Sequence, residues 1–235
     1  MRELVVIAKI HTEFPAKFGI PRQSGLVKEL RGEIVFEPEF RRAEALSGIE
    51  EFSHLWLLWE FSEARRDSWS ATVCPPRLGG REKRGVFATR SPFRPNAIGL
   101  SCVKLEQALY ETEDGPKLIV SGADLMDGTP IYDIKPYLPY ADAYPDASGG
   151  FGQVHSRDGI RVDFPEELLH RLPRERRAAA LGVLGQDPRA AYNKQPDYVY
   201  GMEFAGYDIR FTVKDDVLEV CDVIVTEGGD WEKVK

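Results

Sequence analysis

The sequence is short of the features that assign a protein quickly. Its three cysteines, Cys74, Cys102 and Cys221, are odd in number, far apart and without a C-x-x-C pair. They argue against a disulfide framework, more strongly against a zinc site, and for a reducing compartment. Four histidines, His11, His54, His155 and His170, show no metal-ligand spacing, so no metal is expected. No apolar run approaches the roughly 18 residues of a membrane span, and the apolar N-terminal stretch is broken by Lys9, too early for a secretory signal. A cytoplasmic protein is expected. Cations are also in deficit: 31 Lys and Arg face 38 Asp and Glu, a net charge of -7, with an isoelectric point near 5.3. Nucleic-acid-binding domains usually lie above about 9, so net charge alone speaks against such a partner. No glycine pattern matches a P-loop or a Rossmann fingerprint.

What is present is a globular composition. Of 235 residues 43% are apolar, and a chain this long buries roughly 70–75% of its unfolded surface. The first 145 residues read as short strands (4–10, 33–36, 54–61, 85–88, 100–105 and 117–121) bounded by Pro and Gly, with one short helix near 41–46. Nine of the sixteen prolines fall between Pro75 and Pro145, a density suited to rigid loops. Many strands with few helices predict a mainly β fold, a closed or nearly closed β-barrel and not a doubly wound sheet. Residues 146–160, rich in Gly and Ser near their start, read as a linker. Beyond it, 165–172 and 174–185 look helical. Strands at 198–204, 207–213 and 217–225 follow, turning at Ala205-Gly206 and Asp215-Asp216. The expected division is a barrel over 1–145 carrying cofactor and catalysis, the linker, and a small α+β unit over 161–235 that aids RNA binding.

Charge is unevenly spread. From Arg77 to Arg94 six cations (Arg77, Arg81, Lys83, Arg84, Arg90, Arg94) meet one acid, Glu82. Prolines beside Arg90 and Arg94 hold their planar donor forks ready for phosphate, carboxylate or base edges; the plainer alternative is a solvated loop paired to nearby acids. The segment 124–142 brings four carboxylates, Lys135 and three tyrosines together around Asp127-Gly128-Thr129-Pro130. Its glycine permits close backbone approach to a ligand, although Asp-Gly is also an ordinary hairpin turn. Arg171 to Arg177 holds four arginines and one acid, a solvated helix face or a grip on a phosphate backbone. His54 reads as a hydrogen-bonded core histidine and not a catalyst.

Several motifs occur in order: Pro21-Arg22-Gln23, Phe52-Ser53-His54-Leu55-Trp56, Pro75-Pro76-Arg77-Leu78-Gly79-Gly80, Gly85-Val86-Phe87-Ala88-Thr89-Arg90-Ser91, Phe93-Arg94-Pro95-Asn96 and Asp127-Gly128-Thr129-Pro130 to Tyr137. This series resembles the TsaA-like family, also called TrmO or YaeB, and Gln186 to Tyr192 with Tyr200-Gly201 is similar to the C-terminal region of its bacterial members. The resemblance implies a homodimeric β-barrel that uses S-adenosylmethionine to methylate N6 of threonylcarbamoyl-adenosine beside the anticodon of tRNA, with the cofactor near the subunit interface. It implies cofactor contacts at Arg22, Gln23, Phe61, Ser62, Arg90, Gly99, Leu100, Asp127, Gly128 and Thr129. It makes Asp133, Arg90, Lys135 and Tyr137 catalytic candidates, with Asp133 as the base. Arg77, Lys83, Arg84, Arg94, Asn96, Arg174, Arg176 and Arg177 are the expected RNA contacts. Two positions depart from the family pattern: Ala97 stands for a usual proline, and Cys74 for a frequent arginine. The alternative class is a non-catalytic RNA- or ligand-binding module built on the same cationic loop. A hydrolase using His54 ranks behind both, because no nucleophile elbow is present.

Overall fold

A computed structural model describes residues 4–64, 68–75, 78–152, 159–189, 195 and 198–226. Arg77, part of the expected linker and the Ala190-Ala191-Tyr192 portion of the C-terminal motif lie outside them. The strands are β1 (Ala8–Thr12), β2 (Arg31–Phe36), β3 (His54–Glu60), β4 (Thr72–Val73), β5 (Arg84–Gly85), β6 (Ile98–Leu109), β7 (Lys117–Ser121) and β8 (Thr129–Pro136). After them come a helical turn α1 (Pro139–Asp142), then β9 (Arg161–Asp163), α2 (Glu166–Leu169), α3 (Arg174–Gly185), β10 (Tyr200–Phe204), β11 (Tyr207–Lys214) and β12 (Val217–Val225).

Six strands close an antiparallel barrel in the order β1-β2-β7-β6-β3-β8. Strict alternation builds it: Ala8 and Ile10 on β1, Ile34 on β2, Leu55 and Leu57 on β3, and Leu118 and Val120 on β7 point inward at 0% exposure. Each large side chain so placed contributes roughly 1.5–3 kcal/mol. Closure leaves these strands without an open edge. The mainly β barrel expected from the strand count is the observed fold.

Several elements differ from expectation. β8 is not among the strands expected above; its Pro130, which cannot donate to a ladder, sits near the strand's start, opposite Lys9. The segment 85–88 is a two-residue pairing followed by a 3-10 turn, and 41–46 contains a 3-10 turn, Ala43–Leu46, in place of a helix. The short β9 pairs in parallel with β12. Both turns placed in the C-terminal meander form: Ala205 and Gly206, then Asp215 and Asp216, all have positive φ, the geometry of two-residue hairpin loops.

A second sheet, β10-β11-β12-β9, packs against α2 and α3. Phe204, Ile209, Phe211 and Leu218 meet Leu172, Ala180 and Leu184 in its core. This core also takes in Phe14, Val27 and Leu30 from the connection between β1 and β2, so the barrel lends residues 14–30 to the C-terminal sheet. Glu13 pins the junction. Its Oε1 accepts from Arg176 and from the Arg31 N–H, and its carbonyl accepts from the Ala205 N–H. Burial pushes the Glu13 carboxyl above the usual carboxylate range, against the pull of Arg176, and among the described residues Oε2 has no hydrogen-bond partner. Because the folded value exceeds the unfolded one, Glu13's contribution is full below its unfolded pKa and declines as pH rises through the folded one. Glu13→Ala strands Arg176 and is expected to cost about 3–5 kcal/mol in denaturant unfolding; an unchanged midpoint would show that the junction needs no such pin.

Candidate active site

At the barrel end formed by the last residues of β3 and the first of β6 and β8 lies a cleft of about 940 Å³. Its floor is aromatic: Trp59, the last inward apolar residue of β3, packs on Phe61 with ring centroids 4.2 Å apart. Trp59 Nε1 donates to Ser101 Oγ at 2.9 Å, and Ser101 Oγ donates to Asp124 Oδ1 at 2.5 Å. The indole is thereby held by a chain of hydrogen bonds ending on a carboxylate. Burial raises Asp124 above the usual carboxylate range, opposed by the Ser101 hydroxyl, backbone N–H groups and the Arg90 charge. Gly99, opposite Trp59 in the β3–β6 register, leaves room for this ring: a Cβ there would lie 2.2 Å from its Cε2.

The cationic wall comes from two loops. Arg90 Nη1 donates to Gln23 Oε1, and Gln23 Nε2 donates to the Arg22 carbonyl. Arg94 Nη1 donates to the Thr89 carbonyl at 3.1 Å, beside a Ser91 N–H on Thr89 Oγ1 at 3.2 Å. The Arg22-Gln23 loop is anchored on both sides, by Phe18 and Ile20 before it and Val27 and Leu30 after it, all packed into the C-terminal core. The Phe61 N–H reaches the Ala97 carbonyl at 2.9 Å, so the loop that lacks the usual proline is still tied to β3.

The cleft gathers Arg22, Gln23, Phe61, Ser62, Arg90, Arg94, Asn96, Gly99, Leu100 and Thr129. Gly128 adjoins it with φ 73° and open space where a Cβ would point. Asp127 instead turns toward β1: Oδ1 accepts the Thr12 N–H at 3.0 Å and stands 3.1 Å from His11 Nδ1. That contact raises the His11 pKa. Asp133 and Lys135 form an ion pair of 2.7 Å further along β8, and Tyr137 packs against Trp56 at 5.8 Å; these three do not line the cleft. His54 faces outward, bonded to Ser53 Oγ at 2.9 Å, and is not a core residue.

The expected RNA contacts divide. Arg84, on the β4–β5 ribbon, pairs with Glu82 at 2.5 Å, with Lys83 exposed beside it. On α3, Arg174 is exposed at the first turn. Arg176 lies against Glu13, and Arg177 Nε donates to the Leu172 carbonyl at 3.0 Å, so both fasten the helix to its surroundings. A second cleft of about 1050 Å³ shares Arg22, Gln23, Thr89, Arg90, Pro92 and Phe93 with the first. Asp124 falls within the carboxylate-rich segment 124–142, whereas Trp59, Glu60 and Ser101 carry no functional motif in the sequence. The alternation of β3 and β6 was the available signal, since it turns Trp59 and Ser101 toward one another.

Fold and clefts together define a class: a β-barrel protein whose mouth carries a cleft shaped and lined for a small molecule of mixed apolar and charged character, beside exposed arginines. The sequence matches the family model for the tRNA-methyltransferase O N-terminal domain over residues 9–143 and that for the TrmO C-terminal domain over 158–226. The chain belongs to the TrmO family. It is 41% identical to the tRNA (adenine(37)-N6)-methyltransferase of Escherichia coli over 222 residues, 91% of this chain and 94% of that one. It is 42% identical over 233 residues to a Pseudomonas aeruginosa protein whose name places it among S-adenosylmethionine-dependent methyltransferases, covering 95% and 97% of the two chains. The crystal structure of TrmO from Pseudomonas aeruginosa superposes with a TM-score of 0.76 at 37% identity, covering 95% of this chain and 98% of that one.

Proposed function

We propose that this protein is an S-adenosylmethionine-dependent methyltransferase acting on N6 of adenosine 37 in tRNA, in the cytoplasm, with the threonylcarbamoyl form of that adenosine as its substrate. Family membership supports the reaction. The observation that carries it onto these residues is the cleft, which joins an aromatic floor, an arginine wall, the buried carboxylate Glu60 and the half-buried carboxylate Asp124 in one space. Such a set fits a cofactor that has a purine, a carboxylate and cationic groups. Its volume lies within the usual range for small-molecule sites, about 300–1,000 Å³. Arg22, Gln23, Phe61, Ser62, Gly99, Leu100 and the 127–129 turn are the residues proposed to hold it. Bound there, S-adenosylmethionine supplies the methyl group.

The remaining work falls to side chains. The target nitrogen, flanked by a purine and a carbamoyl group, is a weak nucleophile with an acidic proton. A carboxylate to receive that proton and cations to balance developing negative charge address both problems. Arg90 and Arg94 supply cations at the cleft, where the same forks suit a threonyl carboxylate.

Asp133 and Lys135 lie off the cleft of their own protomer, and a homodimer resolves this. Trp56 and Leu58 of β3 and Leu100 and Cys102 of β6 make an outward apolar strip on adjacent strands, and Leu100 is both 49% exposed and part of the cleft lining. A second copy covering this strip brings Asp133 of the partner subunit, with its Lys135 and Tyr137, to the cleft. Mixing Arg90→Ala with Asp133→Asn chains tests this. Hybrid dimers then carry one intact site, and about a quarter of wild-type turnover returns. No recovery above the separate variants would place Asp133 in its own protomer's chemistry or outside the chemistry altogether.

A further inference from the structure

Beside the proposed methyl-transfer cleft, two large aromatic side chains stand in solvent. Phe87 is 73% exposed and Trp69 is 52% exposed. Their rings lie nearly parallel, 29° apart with centroids separated by 6.1 Å. Phe87 lines the second cleft, which the β4 residues Thr72 and Val73 also wall and which runs into the first through Arg90. Phe87 sits inside the stretch 77–94, whose cations outnumber acids six to one in an otherwise acidic chain. An apolar surface of this size left open to water is costly unless something covers it. Here the surrounding charge selects a polyanion as the occupant.

The chemistry in the first cleft narrows that further. N6 of an anticodon-loop adenosine reaches a buried site only when its nucleotide leaves the loop's stack, and the nucleotide next to it then loses one stacking face. Proteins that bind unpaired RNA replace such a face with an aromatic ring and hold the backbone with arginine.

We infer that Trp69 and Phe87 form a stacking platform for an unpaired anticodon-loop nucleobase flanking the methylated adenosine, with Arg90 at the border between the platform and the methyl-transfer cleft. This rests on the tRNA-methyltransferase reading above. Any base offers a π-face, so the platform is tolerant of sequence; it contributes affinity and registers the target nucleotide over the cleft.

The test uses an anticodon stem-loop RNA carrying 2-aminopurine at a position flanking the target adenosine. Wild-type protein quenches its fluorescence on binding. Trp69→Ala and Phe87→Ala each weaken RNA binding on the order of tenfold or more and relieve the quench, while Trp69→Phe retains most of both. Affinity for S-adenosylmethionine stays at the wild-type value in all three, which shows that the variants are folded. Variants that bind and quench like wild type overturn the platform while leaving methylation by the wild-type enzyme intact. Failure of the wild-type enzyme to methylate tRNA at all would instead overturn the functional reading on which the platform rests.

Discussion

Replacing Gly99 by alanine is expected to disable the cleft. The added methyl would sit 2.2 Å from Trp59 Cε2 and 2.4 Å from Cζ2, well inside contact distance. Neither side can give way cheaply, because Gly99 lies in the β3–β6 ladder and Trp59 is fixed by its bond to Ser101. Displacing the indole breaks that bond and releases Ser101 from its fixed place between Trp59 and Asp124. Overpacking costs about 1–3 kcal/mol and the lost hydrogen bond about 0.5–1.5 kcal/mol. At about 2–4 °C per kcal/mol for a chain of this size, the melting temperature falls by roughly 3–18 °C. Cofactor affinity falls with it, because Trp59, Phe61 and Gly99 line the same cleft. Calorimetry and cofactor titration check both. A stable variant with wild-type affinity would mean that the indole does not define the floor.

Arg90→Ala is expected to leave the fold intact and remove most of the activity. Arg90 borders both clefts, donates to Gln23 and lies near enough to the half-buried Asp124 carboxylate for its charge to favour the ionised form. Losing a preorganised donor at a site of developing charge lowers turnover by about 10²–10³-fold. Arg90→Lys restores only part of it, because a point charge cannot reproduce the bidentate fork that bridges Gln23 and an anion. Steady-state kinetics against tRNA, with the melting temperature as the control for folding, measures this. Full turnover in Arg90→Ala would remove the arginine from the chemistry.

Much of this organisation was legible in the residues, for physical reasons. The β3 segment alternates large apolar and outward residues from His54 to Glu60, so its strand and its inward face follow from period alone. Proline at the start and glycine at the end bracket the helix Arg174–Gly185. β8 was hidden because Pro130 and its outward polar residues mimic a loop, although its inward Thr129 and Ile131 keep the barrel's alternation. The clefts depend on contacts between residues distant in sequence, such as Arg90 with Gln23 and Ser101 with Asp124, which local pattern does not encode. Charge misled in a similar way. Arg176 looked available to a phosphate, but the fold sets it against Glu13, more than 150 residues away. The net charge of -7 hides a cationic loop beside the cleft.

Nucleoside mass spectrometry measures methyl transfer to one nitrogen directly. The purified protein is incubated with labelled S-adenosylmethionine and tRNA from cells lacking this activity, and the digested nucleosides are then resolved. One labelled methyl group is expected on N6 of the threonylcarbamoyl-adenosine at position 37, appearing about 10²–10³-fold more slowly when Arg90 is alanine. tRNA that binds but returns without label would contradict it and favour the non-catalytic RNA-binding module.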